Sequence, residues 1–219
     1  MTNAPSQRTQ VKRLPDRGKY DEATIHSILD EAYLAHIGIV EDGQPIVIPV
    51  LFARDGDSVL LHGSPASRTL RNAKNDGIRV CLTVTLVDGF VIARSGFHHS
   101  MNYRSVVVFG EAVPIVDESE RWNALDLIVE SLVPGQGEMV RPMTAKEVKG
   151  TMVLRLPLDE ASAKIRTGPP GDDAEDYALP IWAGVIPITE VYGAPIPDPA
   201  LEHDIPVPAH LENYERPRG

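Results

Sequence analysis

Alternation of apolar and polar positions dominates the chain from His36 onward. The runs "AHIGIV", "QPIVIPVLFAR" and "SVLLHGS" carry the period of two that marks strands, and they are separated by Asp42-Gly43 and Asp55-Gly56-Asp57, both hairpin signals. "IRVCLTVTL" and "FVIARSG" flank Asp88-Gly89, which reads as a third hairpin. "YRSVVVFGEAVPIV" is one long strand bent at Gly110, and "TMVLRLPL", "ASAKIRT" and "LPIWAGVIPI" read as further strands. Helical spacing occurs in few places. Asp21 is an N-cap candidate, Tyr20 and Ile25 form a hydrophobic staple across it, and Ile25, Ile28, Leu29 and Ala32 follow on one face. A short helix is expected from about Pro65. Residues 118–133 place Trp122, Leu125, Ile128, Val129 and Leu132 on one face, with a stop at Pro134-Gly135. With about six to eight strands joined by tight turns, the pattern predicts a mainly β chain with flanking helices, folded as a closed or partly closed antiparallel barrel.

Composition narrows the class. The 219 residues suit one domain with a buried core, and 42% hydrophobic with 24% charged residues is ordinary for a globular protein. A formal charge of −10 disfavours a general nucleic-acid surface or an anionic membrane surface, while a local basic pocket stays compatible with it. No run reaches the roughly 18 apolar residues of a membrane span, and the first residues lack the apolar core of a signal peptide, so a cytoplasmic location is expected. The single cysteine, Cys81, excludes an intramolecular disulfide and a cysteine-based zinc site, and it reads as a small buried hydrophobe. Three segments follow: a basic arm over 1–19, a body over 20–192 and a proline-rich tail over 193–219, either disordered or draped over a surface. The arm reads either as a solvated tail or as a segment lying across its own domain or a partner. The acidic loop 171–177 is either a solvated turn or a partner for that arm.

The stretch "VLLHGSPASRTLRNAKNDG" carries the first candidate chemistry. Ser64 is a suitable N-cap and Pro65 a suitable first helical residue, so the free amides of that turn would face an anion. Ser67 adds a hydroxyl, Arg68 a fork of donors matched to phosphate oxygens, and Arg71 lies one turn on. Neither a Walker loop nor a dinucleotide fingerprint is present. The plainer reading is a capped surface helix with solvated arginines. Tyr103, Arg104 and Ser105 stand where a loop enters a strand; an arginine in such an apolar run must be paired or exposed. Pro49, unable to donate to a ladder, marks an edge or a bulge, where freed backbone groups can bind a planar heterocycle. His62 sits at a strand end, placed either to hydrogen-bond a ligand and relay a proton or to serve the core. His98 and His99 are adjacent; on a strand they would face opposite sides and not chelate together.

On these pieces, together with "RLPDRGKYD" and "KIRTGPPGDDAEDYALPIWAGVIPI", the chain resembles the flavin-binding split-barrel superfamily of pyridoxamine 5′-phosphate oxidase, over roughly residues 8–190 and nearest its nitroimidazole-reductase-like branch. The resemblance implies a split β-barrel of the FMN-binding type, with FMN at the interface of a homodimer and oxidoreductase activity on a small molecule. It places Pro49, Val50, Leu51 and Phe52 along the isoalloxazine ring. His62, Gly63 and Ser64 fall at the ring and ribityl side, with His62 as the catalytic candidate, and Ser67 and Arg68 at the phosphate. Tyr103, Arg104 and Ser105 would close the site, from the same or the neighbouring subunit, and Trp182 would line the ring pocket unless it is a core tryptophan. The substrate-phosphate residues and C-terminal Arg/His pattern of authentic pyridoxamine 5′-phosphate oxidases are absent. Rival readings are a non-catalytic flavin store or sensor, marked by tight binding without turnover; a haem-binding or haem-degrading split barrel, marked by a haem band lost with a histidine; and deazaflavin use on the same fold. Arg68→Ala is expected to weaken FMN binding by about 1.5–3 kcal/mol, the worth of a charge-assisted contact; calorimetric titration giving an unchanged affinity would refute the phosphate assignment.

Overall fold

The structure, a computed structural model, describes residues 3–67, 73, 77–202 and 204–216. Its strands are β1 (Gly18–Lys19), β2 (Leu34–Glu41), β3 (Gln44–Asp55), β4 (Ser58–Gly63), β5 (Ile78–Ile92), β6 (Ser100–Pro114), β7 (Met152–Pro157), β8 (Ala161–Arg166) and β9 (Gly184–Pro187). The helices are α1 (Glu22–Glu31), α2 (Glu118–Leu132), α3 (Ala145–Gly150) and the short α4 (Ala209–Glu212). The sheet runs β1-β8-β6-β7-β4-β3-β2-β5-β9, and a further pairing of β6 with β5 closes its central strands into a ring. This is the antiparallel split barrel that the strand pattern and the resemblance anticipate.

Two features of the ring matter for function. β3 pairs with β2 from Gln44 to Leu51, then passes to β4 from Phe52 to Asp55. β6 does the same on one edge: Tyr103 to Val108 pair with β8, whereas Val113 and Pro114 pair with β7. Gly110 sits at that handover, where a Cβ would stand 2.9 Å from Leu156. Ile37, Ile39, Leu82, Val84, Val106 and Val108 fill the interior, and α1 plugs it with Ile25, Ile28 and Leu29. The Asp21 carboxylate accepts from the Thr24 N–H and sets the start of α1. A second core lies on the other side of β3, β4 and β7, where Ala124, Leu125 and Ile128 of α2 meet Leu60 and Val153. Val129 is only half-buried and Leu132 is 41% exposed, so the buried stripe of α2 runs through Ala124 instead.

Several expectations are corrected. Asp88-Gly89 is not a hairpin: β5 runs straight through it, with a register shift between Val87 and Gly89, and the chain reverses later through the turn at Gly96–His98. A bulge and a tight turn use the same residues, because both need one residue that leaves the ladder. The segment "LPIWAGVIPI" is strand only over Gly184–Pro187. Cys81 lies half-exposed on the outer face, opposite Gly38. The arm lies across its own domain: Arg8 pairs with Glu160 and stacks over Phe109, and the Tyr20 hydroxyl accepts from the Val11 N–H. The acidic loop binds elsewhere, with Asp172 on Arg94 and Asp173 on His98. The tail folds back too, so it is draped and not disordered over its described length. Among the described residues no helix is long and apolar enough to cross a membrane.

Gly89 carries a direct test of the bulge. A Cβ there would stand 2.8 Å from the Ile186 carbonyl, a backbone atom that cannot swing aside. Gly89→Ala is expected to loosen β9 and to cost about 1–3 kcal/mol of stability in urea unfolding; an unchanged midpoint would show that β9 adds nothing to the fold.

Candidate functional site

The handover in β3 leaves a wedge. The last β3–β4 pair is Phe52 with Leu61, and the next, Leu51 with His62, does not form. Beyond it β3 keeps to β2, while His62 and Gly63 pair with Val153 and Met152 of β7. Residues 44–51 therefore have a strand on one edge only, among the described residues. Proline has no N–H, so Pro45 and Pro49 stand where β3 turns its amides away from β2. Val47 and Leu51, in phase with them, then turn N–H and C=O to the open edge. This is the edge that Pro49 signals in the sequence.

The predicted site residues divide accordingly. Pro49 and Leu51 lie on the outer face and are exposed, whereas Val50 is half-buried and Phe52, 4% exposed, belongs to the barrel core. His62 stands at the mouth of the wedge. Its Nδ1 is buried and has no hydrogen-bond partner among the described residues, and burial pushes the ring below the usual histidine pKa. Ser64 begins a turn: its hydroxyl accepts from the Ala66 N–H at 3.2 Å, and its carbonyl accepts from the Ser67 N–H at 2.8 Å. Ser67 is exposed at the end of this turn; Arg68 and Arg71, with the other residues of 68–72 and 74–76, lie outside the described residues.

The other predicted cluster faces two ways. Tyr103 and Ser105 share the outer face with Val87 and Thr85, and the Ser105 hydroxyl donates to the Lys164 carbonyl at 3.2 Å. Arg104 points to the opposite side, where it is clamped by Glu31 and by Asp88, the latter at 2.7 Å. Those carboxylates hold its pKa above the ordinary arginine value. Trp182 is 67% exposed and folds its ring over Gly184, so it is not a core tryptophan. His98 bonds Asp173 and His99 bonds the Ser95 carbonyl, in a turn and not on a strand. Among the described residues no group of three or more His, Cys, Asp or Glu side chains gathers to hold a metal ion.

A cavity of about 870 Å³ escaped the sequence reading. β2 and β5 pair only from His36–Thr83 to Gly38–Cys81, and they part on the α1 side of that short ladder. Leu34 and His36 line the resulting gap from β2, Thr85 to Asp88 from β5, and Asn102 and Arg104 from β6. Ile188 to Glu190, Tyr192 and Arg216 cover it. Arg216 is fixed by main-chain carbonyls at the ends of two helices: Glu31 at 2.8 Å, Ala32 at 2.8 Å and Ser131 at 2.9 Å. Such carbonyls are the unpaired acceptors of a helix C-terminus, where a cation is favoured. The cavity adjoins the wedge, because Leu34 stands opposite Leu51 and His36 opposite Pro49.

Comparison with known proteins agrees with this geometry. The sequence profile described as pyridoxamine 5′-phosphate oxidase matches residues 21–165. Among solved structures, the flavocytochrome Anf3 from Azotobacter vinelandii is 46% identical over 96% of this chain and 97% of that one, with a TM-score of 0.90. An FAD and haem binding protein from Mycobacterium smegmatis is 35% identical over 89% and 95%, with a TM-score of 0.84. A candidate 5-nitroimidazole antibiotic resistance protein from Bacteroides thetaiotaomicron is 25% identical over 68% and 86%, with a TM-score of 0.57. A search of the curated proteins gives no match. The profile runs from the cap of α1 to the next-to-last residue of β8, the whole of the ring, and this chain therefore belongs to the pyridoxamine 5′-phosphate oxidase family.

Proposed function

We propose that this protein is a flavin-binding oxidoreductase of a small molecule, with the flavin in the wedge between β3 and β4 and a second copy of the chain closing it. One observation carries the reading: the open backbone edge at Val47 and Leu51 lies beside a buried histidine nitrogen that has no hydrogen-bond partner among the described residues. A flat heterocycle edged with donors and acceptors suits both. The two relatives that match nearly the whole chain carry a flavin in their names, as a flavocytochrome and as an FAD and haem binding protein. FMN is the nucleotide the resemblance implies; the riboflavin phosphate it shares with FAD is what the turn from Ser64 to Ser67 would meet.

When bound, the flavin supplies two-electron chemistry that no side chain of this chain offers. The protein's part is to bind and orient. The Leu51 N–H and the Pro49 carbonyl face the open edge, the Ser67 hydroxyl and the turn amides face the phosphate side, and His62 is held neutral by its burial. A neutral imidazole can donate or accept at its outward nitrogen without placing a charge against the ring. The outer face supports a homodimer. Val40, Val47 and Leu51 are 68%, 65% and 41% exposed there, spread along the outer face of two adjoining strands, apolar surface that a second copy would cover. A second reading adds a haem to the flavin, favoured by the names of the same two relatives and by the cavity beside the wedge.

The test is the visible spectrum of the purified protein, with the released chromophore identified by mass and the oligomeric state followed on dilution. The expected outcome is a flavin spectrum, a mass of FMN or FAD, and loss of flavin as dimers separate. A colourless protein that refuses both nucleotides would sink the proposal, and flavin retained by a monomer would remove the shared site. His62 gives an independent check. Its folded pKa lies below the unfolded value of 6.5, so between the two the unfolded chain binds more protons. Stability is therefore expected to fall as pH drops below 6.5, and His62→Gln is expected to flatten that slope in urea titrations. An NMR titration placing His62 at or above 6.5 would contradict its burial.

A further inference from the structure

We propose that the outer face of β8, where Arg17, Lys164 and Arg166 converge beside Tyr103, binds the phosphate of a small molecule other than the flavin. The inference does not depend on the flavin reading. Lys164 and Arg166 stand two apart on β8, hence on one face, opposite Ser105 and Tyr103 of β6. Gly18 of β1 pairs with Lys164, which brings Arg17, the residue before it, to the same end of that strand.

Arg166 is 8% exposed, yet no carboxylate pairs with it among the described residues. Its Nη1 donates to the Asn102 side-chain carbonyl and, at 3.1 Å, to the Gly168 carbonyl. Its Nη2 donates to the Pro169 carbonyl at 3.0 Å, and its buried Nε has no partner among the described residues. Acidic residues are in excess in this chain, 31 against 21 basic, and Arg54, Arg94, Arg104 and Arg155 each hold a carboxylate. Arg166, more deeply buried than any of these, holds only neutral oxygens. Such oxygens satisfy donors without cancelling a charge, and a buried charge left uncompensated is costly.

The surroundings add to that cost. Burial, and next the like charge of Arg17, pull the Arg166 pKa below the ordinary arginine value. Arg17 reaches this place through a turn in which Leu14 has φ of 57°, a left-handed conformation that strains a residue with a branched side chain. The Arg17 N–H closes the turn on the Leu14 carbonyl at 3.0 Å. The side chains of Arg17, Lys164 and Tyr103 are half-buried and make no hydrogen bond or ion pair among the described residues. Strain, repulsion and uncompensated burial would all be offset by one anion seated among these groups. Guanidinium forks match phosphate oxygens, the ammonium adds a point charge and the phenol a further donor. Three positive charges suit a phosphate better than a single carboxylate. The flavin phosphate already has the turn from Ser64 to Ser67 after β4, and β6 and β7 stand between β4 and β8 in the sheet, so this anion is a second one.

The experiment titrates the purified full-length protein with inorganic pyrophosphate by calorimetry, at constant ionic strength, with chloride as the control anion and flavin content measured throughout. Pyrophosphate is expected to bind and to raise the thermal midpoint, and chloride to do neither. Arg17→Gln and Lys164→Gln are each expected to weaken binding about tenfold or more, the worth of one charge-assisted contact, with flavin retained. In phosphate-free buffer of low salt, Arg17→Gln is also expected to raise the urea midpoint, because it relieves Arg166 of a like charge; a merely structural Arg17 would lower it. A wild type that binds no pyrophosphate, an affinity unchanged in both variants, or a lowered urea midpoint would overturn the proposal. Flavin lost from either variant would make the anion the flavin's own phosphate and overturn it equally.

Discussion

A strand has two edges, and each stretch of an edge can serve one neighbour at a time. β3 is longer than β2 or β4, and β6 is longer than β8 or β7, so each must change partner part-way along one edge. Wherever one neighbour ends before the next begins, backbone is left unpaired, and an unpaired edge needs a ligand, another chain or water. The ring closes only because these handovers let strands turn the corners of the barrel. The same handovers open the wedge at Leu51 and His62, and the short β2–β5 ladder opens the gap beside it. Closure and cleft are thus two consequences of one mismatch in strand length.

The rest of the structure holds those openings in shape. α1 fills the barrel with Ile25, Ile28 and Leu29, and its C-terminal carbonyls then present a fixed negative end to Arg216 of the tail. Arg216 ties that end to the end of α2, so the tail seals one side of the gap by reaching across two helices. On the floor, Arg104 joins Glu31 of α1 to Asp88 in the bulge of β5. Removing either carboxylate would leave the guanidinium half-compensated, and the pair it forms is better understood as fixing the geometry of the gap than as contributing stability of its own.

An imidazole stands on each side of the β3 edge: His62 in the wedge and His36 in the gap. They differ in what surrounds them. His62 is enclosed on its Nδ1 side and is kept neutral by the cost of charging it there. His36 lies open on a face of apolar residues, with Pro49 directly across the ladder.

The sequence alone determined the elements whose causes are local. Asp21 starts α1 because its carboxylate reaches an amide three residues on, and Asp42-Gly43 turns the β2–β3 hairpin because both residues accept positive φ, 50° and 76°. Strand alternation gave the barrel class, and Pro49 announced an edge, because a residue without an N–H has few places to stand. The resemblance supplied the family. Tertiary structure decided what depends on partners remote in the chain. Whether Asp88-Gly89 turns or bulges depends on whether β5 still has β6 beside it, and it does. Arg104 took Glu31 and Asp88 as partners, from 73 and 16 residues away. The gap that gathers His36, Tyr192 and Arg216 exists only once β2 and β5 have parted, and periodicity along a strand cannot say how far a neighbouring strand will follow it.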